Sequence, residues 1–182
     1  MRLKVFVLFA GILILNGCAS TEGSYNVLAP PKDESQLLKF SGLNVEVQCN
    51  EEIPPLTNAT KERILILILK HVKTQCPHRF KTINSSGQES DNLQVSVIIK
   101  RYYEGNAFAR SMLAGLGLMN IGADVILSDP VDPVTKEKIA SYEVNKIFAW
   151  GGLYGATTRI TDIEDGFAQA VAAAIPGKKE EQ

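Results

Sequence analysis

The chain has 182 residues, with 19 basic and 20 acidic side chains, a formal net charge of −1 and 45% hydrophobic residues. That length is enough for one domain with a sizeable core. Lysine and arginine form no run longer than two residues, which argues against nucleic acid as a partner.

The first residues predict an export signal. Arg2 and Lys4 precede an uncharged apolar run from Val5 to Leu15. A membrane-spanning helix needs ~20 apolar residues, so this run is too short to span a bilayer but fits the central region of a signal peptide. We therefore predict that residues 1–17 are a cleaved signal peptide. No later segment is apolar over a comparable spanning length.

The segment Leu15-Asn16-Gly17-Cys18 resembles the lipobox of bacterial lipoproteins. The resemblance implies that Cys18 receives a diacylglycerol and becomes the new N-terminus. Ordinary cleavage after Ala19 is the alternative, because small residues also occupy the two positions that such cleavage requires. In these lipoproteins, retention at the inner membrane usually needs Asp after the cysteine. Ala19 and Ser20 therefore imply a place at the cell outer membrane, facing the periplasm.

Residues 18–36 are small, polar and proline-bearing, without periodicity. They predict a lipidated N-terminus followed by a flexible tether. The globular domain is expected over residues 37–177, with a charged tail at 178–182.

The first half of the domain predicts a strand, a helix and a second, short strand. Leu43–Cys49 alternates apolar and polar residues, as a half-buried strand does. Thr57 or Asn58 can cap a helix that runs to Gln75. Its expected core face carries Ile64, Leu65, Ile68, Leu69 and Val72, and Ile66 and Leu67 lie on the other face. A short strand is expected over Arg79–Ile83.

The second half predicts three longer strands and a final helix. The strands are Leu93–Tyr103, Ile121–Leu127 and Lys138–Ile147, the last two joined by a proline-bearing hairpin loop. Thr161 and Glu164 have the spacing of a capping box, which predicts a helix from Thr161 to Ile175. The order β-α-β-β-β-β-α predicts an α/β (α+β) fold. The expected architecture is a two-layer sandwich, with a mostly antiparallel sheet of about five strands and two helices.

Cys49 and Cys76 present opposing arguments for a disulfide. Export favours the bond, because disulfides form and persist outside the cytoplasm. The predicted elements oppose it, since a strand ending at Cys49 and an antiparallel helix ending near Cys76 place the thiols at opposite ends of the layer. The sequence leaves this pairing open.

No constellation predicts catalysis, a cofactor or a metal. Gly115-x-Gly117 with Gly122 is not a dinucleotide-binding fingerprint, because the third glycine is misplaced and no acidic partner follows at the required distance. The two histidines, His71 and His78, do not have the spacing of metal ligands. We expect no cofactor, no metal site and no catalytic residues.

Residues 103–147 carry a resemblance to a known family. The elements that carry it are Arg110, Gly115-Leu-Gly117, a strand to Asp129 and the loop Val131-Asp-Pro-Val-Thr135. This pattern resembles a family of bacterial lipoproteins known only as a domain of unknown function, number forty-four ten. Lys136 stands where the family usually has glycine. The family implies no activity and no catalytic residues.

Two segments, 108–119 and 148–155, combine glycine with bulky apolar residues. In the second, Trp150 and Tyr154 have the composition of a binding loop, although a tryptophan packed against the end of the sheet is the alternative. We predict a non-catalytic binding or accessory module, held at the membrane by its lipid, whose partner is an envelope protein or polymer. The rival functions are an envelope-acting hydrolase or transferase and a structural lipoprotein that self-associates.

Overall fold

The computed structural model describes residues 23–84, 91–113, 116–130 and 138–175. Cys18, most of the predicted hairpin loop and the charged tail lie outside these residues. The described residues form a mixed α+β fold with six strands and five helices, where five strands and two helices were predicted. The strands are β1 (Ser24–Ala29), β2 (Gly42–Cys49), β3 (Thr82–Ile83), β4 (Asn92–Tyr103), β5 (Met119–Ser128) and β6 (Lys138–Phe148); the helices are α1 (Ser35–Leu38), α2 (Asn58–Gln75), α3 (Ala107–Met112), α4 (Gly152–Thr157) and α5 (Ile160–Ala174).

The six strands form one sheet in the order β1-β6-β5-β4-β2-β3. Three pairings are antiparallel: β1 with β6, β6 with β5, and β5 with β4. The other two, β2 with β4 and β2 with β3, are parallel. The chain returns from β2 through α2, which is the crossover that parallel neighbours need. The sheet is therefore mostly antiparallel, as predicted.

Helices α2 and α5 pack against each other and cover one face of the sheet. Ile64, Ile68 and Val72 of α2 are buried, as predicted, while Ile66 is 58% exposed. Leu65 and Leu69 are only partly buried, and Leu67, which was expected on the outer face, also packs partly against the core. Thr57 is the N-cap, and its Oγ1 accepts a hydrogen bond from the backbone N–H of Thr60. None of the helices in the described part of the chain is both long and apolar enough to cross a bilayer.

Strand β1 corrects the predicted tether. Residues 24–29 pair with β6 at the edge of the sheet, within the range 18–36 that was predicted to be flexible. The strand is exposed along most of its length, so no alternation of buried and exposed residues marks it in the sequence. Its backbone pairing with β6 orders it instead.

The predicted capping box of α5 is wrong. The helix begins one residue earlier, with Arg159 as its N-cap, and the carboxylate of Asp162 accepts a hydrogen bond from the Arg159 backbone N–H at 2.7 Å. Glu164 is buried in the core instead of bonding to the start of the helix.

Candidate contact surface

Arg110 joins the two glycine-bearing segments that the sequence singled out. Its side chain is buried, and its guanidinium donates to four backbone carbonyl oxygens. Two belong to α4 and its C-terminal end, those of Gly155 at 2.8 Å and Thr158 at 3.2 Å. The other two flank α3, those of Glu104 at 2.9 Å and Gly117 at 2.8 Å. These bonds use four of the five guanidinium N–H groups, so Arg110 holds α3 and α4 together at one end of the sheet.

Two glycines permit this close approach. A Cβ at Gly155 would lie 2.0 Å from the Trp150 carbonyl oxygen, and Gly117 has a left-handed φ of +69°. Side chains rarely tolerate either condition. Gly117 and Arg110 both belong to the motif that resembles the forty-four ten family, and here the carbonyl of the glycine accepts a hydrogen bond from the arginine.

Bulky apolar side chains project outward from this junction. Phe108 and Met112 lie one turn apart on α3, offset from Arg110, and Leu153 lies on α4 two residues from Gly155. Phe108 is 75% exposed and Leu153 is 83% exposed. We call the set of exposed side chains the apolar tip; its members are Phe108, Met112, Leu113, Leu116, Trp150, Leu153 and Tyr154.

Trp150 and Tyr154 lie together in the apolar tip. Their rings meet edge to face with centroids 6.2 Å apart, and Tyr154 also contacts Phe148 at 5.7 Å. Trp150 is 45% exposed and Tyr154 is 64% exposed. Both rings are therefore available for contact, and the structure does not bury Trp150 in the core.

An open cleft of about 670 Å³ lies beside the apolar tip, between α3, α4 and the start of α5. Its described lining includes Glu104, Thr157 and Thr161. Arg110 also lines it, but four of its donors are already bonded to carbonyl oxygens. The hydroxyl groups of Thr157 and Thr158, which also lines the cleft, donate to the backbone carbonyl oxygens of Leu153 and Tyr154.

The two cysteines of the domain are separate, free thiols. Cys49 ends β2 opposite Ile99 in the parallel register. Cys76 follows α2 at the other end of the layer, where burial raises the pKa of its thiol. Within the residues that the structure describes, no three His, Cys, Asp or Glu side chains are placed to hold a metal ion.

A buried ionic cluster, which the sequence did not predict, lies between the helices and the sheet. Glu164 of α5 is completely buried and accepts bonds of 2.6 and 2.8 Å from Arg63 of α2. It also accepts a bond of 2.7 Å from the hydroxyl group of Tyr102 on β4. The hydrogen bond to Glu164 raises the pKa of Arg63. The pKa of Tyr102 is also raised, mainly by burial and to a smaller extent by the hydrogen bond to Glu164.

A bulge in β4 places Tyr102 in this cluster. The register with β5 shifts between Ile99 and Arg101, after which Tyr102 lies opposite the buried Ile121. Lys100 and Arg101 consequently meet carboxylates of β5 and β6 on the other side of the sheet. The cluster thus joins α2, α5 and the sheet.

Comparison with known proteins gives the fold. No family model and no curated protein matches the chain, so the resemblance to the forty-four ten family is not confirmed. Among solved structures, two PelC dodecamers from Paraburkholderia phytofirmans are similar, at 9% and 10% identity and a TM-score of 0.53 each. Each comparison covers 86% of this chain and 99% of the PelC chain. Identity this low shows the fold alone.

A DUF4136 family protein from Bacteroides thetaiotaomicron VPI-5482 is also similar. It is 12% identical with a TM-score of 0.44, over 86% of this chain and 99% of that one.

Proposed function

We propose that this chain is a lipid-anchored lipoprotein of the cell outer membrane, facing the periplasm, and that it acts there as a non-catalytic binding or accessory module. The observation that carries the proposal is the convergence of two separate glycine-bearing segments into one exposed apolar tip, held by the buried Arg110. Monomeric soluble proteins rarely leave so many bulky apolar side chains exposed together unless the surface makes a contact.

Support for the anchor comes from the sequence. A basic start, an apolar run of eleven residues and Cys18 follow one another as in bacterial lipoproteins. Ala19 and Ser20, rather than Asp, follow the cysteine, which favours the outer membrane over the inner one.

A structural lipoprotein that self-associates is the second candidate. PelC, whose fold this chain shares, is a dodecamer. Strand β1 is also an edge strand that exposes Tyr25, Val27 and Leu28, and such edges are ready templates for pairing with another chain. An envelope-acting hydrolase or transferase has less support, because the hydroxyl groups of Thr157 and Thr158 in the cleft donate to backbone carbonyl oxygens of α4.

The anchor is tested with Cys18→Ser. Acylation needs the Cys18 thiol. In detergent partitioning, we therefore expect the wild type to be recovered with the membrane fraction and the variant to be absent from it. Mass spectrometry of the mature wild-type N-terminus should show an acylated Cys18. An unmodified N-terminus would overturn the lipoprotein proposal.

The contact function is tested with a Trp150→Ala/Tyr154→Ala double variant crosslinked in the native envelope. We expect the crosslinked species of the wild type to disappear while the melting temperature of the purified variant stays near that of the wild type, because both rings are exposed. Leu38→Ala is the matched control, since Leu38 is 58% exposed at the far end of the sheet. An adduct that contains only this chain would favour self-association. Unchanged crosslinks in the double variant would contradict the contact role.

A further inference from the structure

The described chain enters the sheet at the end that carries the apolar tip. β1 runs antiparallel to β6, with Ser24 opposite Asn145. The backbone N–H of Gly23 donates to the Gly166 carbonyl of α5 at 2.9 Å. Along β6, Asn145 lies three residues before Phe148, where the chain turns toward Trp150, a rise of about 10 Å.

The chain between Cys18 and Gly23 is short. Gly23 is five positions after Cys18, and five fully extended residues span at most about 18 Å. The ordering of β1 removes most of the slack that a tether from residue 18 to residue 36 would have provided. A lipid on Cys18 therefore keeps Gly23, and with it this end of the sheet, close to the bilayer surface.

The chemistry of the apolar tip suits a lipid surface. The stretches 111–123 and 147–158 contain no Asp, Glu, Lys or Arg. Arg110, the charged residue of α3, is buried and bonded to carbonyl oxygens. Tryptophan and tyrosine concentrate where membranes meet water, because each has an apolar ring with a polar edge. Leu153, Phe108 and Met112 would meanwhile leave water for the acyl region, which is favourable for apolar surface.

We propose that the apolar tip inserts into the surface of the same bilayer that holds the lipid on Cys18. This inference names the partner of the contact surface and rests on the lipid anchor of the proposed function. A protein partner could contact any face of the domain, whereas a membrane contact must lie at the anchored end, as the tip does. One acylated cysteine together with an inserted apolar surface also fixes how the domain stands on the membrane.

Trp150 is the single tryptophan of the chain, so its fluorescence reports on the tip. The experiment uses the full, lipidated protein in vesicles of phosphatidylethanolamine and phosphatidylglycerol, with and without brominated acyl chains. The intact mass of the protein is measured first, to establish whether Cys18 is acylated. We expect a blue-shifted emission that loses most of its intensity in brominated vesicles and is only weakly quenched by aqueous acrylamide.

A matched pair of variants separates insertion from anchoring. Leu153→Glu adds a charge to the tip and should restore acrylamide quenching and abolish quenching by brominated lipid. Leu38→Glu adds the same charge at the far end of the sheet and should behave as the wild type. Both variants are checked for a wild-type circular dichroism spectrum.

Three other outcomes would overturn the insertion of the apolar tip. An acylated protein whose Trp150 is quenched by acrylamide but not by brominated lipid would overturn the insertion and leave the anchor intact. Protection from both quenchers would overturn it in favour of a protein, such as a second copy, on the tip. An unacylated N-terminus would overturn the anchor and the insertion together.

Discussion

Arg63 and Glu164 lie 101 positions apart in the chain and form a two-pronged ion pair, with N–O distances of 2.6 and 2.8 Å. The carboxylate is fully buried, while the arginine side chain is partly exposed. Arg63→Ala would leave a buried charge without its cation, so we expect a loss of about 3 kcal/mol in the free energy of unfolding, measured with urea. Lys70→Ala is the control on the same pair of helices, because the Lys70–Asp165 pair is exposed and spans 3.5 Å. A loss from Arg63→Ala no larger than that from Lys70→Ala would contradict the role of this cluster.

Tyr102 should cause the free energy of unfolding to fall at alkaline pH. Burial and the bond to Glu164 raise the pKa of its hydroxyl group above the ordinary value. Above about pH 10 the unfolded chain therefore loses the Tyr102 proton while the folded protein keeps it, and the free energy of unfolding falls by up to about 1.4 kcal/mol per pH unit. Below that pH the contribution is fully present. Urea titrations across this range should show the fall.

Tyr102→Phe is the variant that isolates this effect. It should flatten the alkaline fall without abolishing it, because burial also raises the pKa of Tyr142. Tyr103→Phe, at the exposed neighbouring position, should keep the wild-type pH profile. Equal slopes for the wild type and Tyr102→Phe would rule out Tyr102 as a source of the pH dependence.

The six longest elements of the fold follow from local sequence patterns. Alternation in β2 and the β-branched run of β4 mark strands whose one face is buried, and the Thr57 cap marks the start of α2. β1 escaped prediction because an edge strand exposed on most positions has no burial period to display. α3 and α4, with six residues each, are too short for a periodic pattern to register.

The contact surface was partly predictable. The mixture of glycine with bulky apolar residues identified both segments, but nothing local shows that Arg110 reaches the carbonyl of Gly155, 45 positions further along the chain. For Glu164, the local sequence pattern gave a wrong prediction. Its spacing from Thr161 matches a capping box, yet Arg63 and Tyr102, which are distant in sequence, determine where its carboxylate lies.

Arg110 should be more important for stability than its position on a short surface helix suggests. Arg110→Met removes the donors for four carbonyl oxygens, and an unsatisfied buried polar group costs about 1–3 kcal/mol. Some of these carbonyls can turn to water, so we expect a loss of about 3 kcal/mol in the free energy of unfolding. Arg159→Met, at an exposed position nearby, is the control. Near-wild-type stability of Arg110→Met would show that α3 and α4 are held by other contacts.

The two faces of α2 should respond differently to the same substitution. Ile68→Asp places a charge at a fully buried position and should prevent folding. The free-energy cost of burying an unpaired charge exceeds the free energy of unfolding of most domains. Ile66→Asp changes an exposed position of the same helix and should alter the free energy of unfolding by about 0.5 kcal/mol or less. Circular dichroism and urea unfolding of both variants provide the measurement. Equal damage from Ile66→Asp would mean that the outer face of α2 is also covered.

Two glycines of α4 separate steric space from backbone conformation. A Cβ at Gly155 would meet the Trp150 carbonyl oxygen at 2.0 Å, whereas a Cβ at Gly152 meets nothing within 4 Å but requires a φ of +67°. Gly155→Ala should therefore push α4 away from Trp150 and lower the free energy of unfolding by about 3 kcal/mol, the upper end of what overpacking costs.

Gly152→Ala should cost only about 1 kcal/mol, the strain of a left-handed backbone at a residue with a side chain. The fluorescence of Trp150 provides a second readout, because Gly155→Ala moves the backbone beside this residue while Gly152→Ala leaves the Arg110–Gly155 bond in place. We expect the emission spectrum to change in the first variant and to match the wild type in the second. If Gly152→Ala proved the more destabilising, or if Gly155→Ala left both stability and emission unchanged, the close packing of α4 on Trp150 would be refuted.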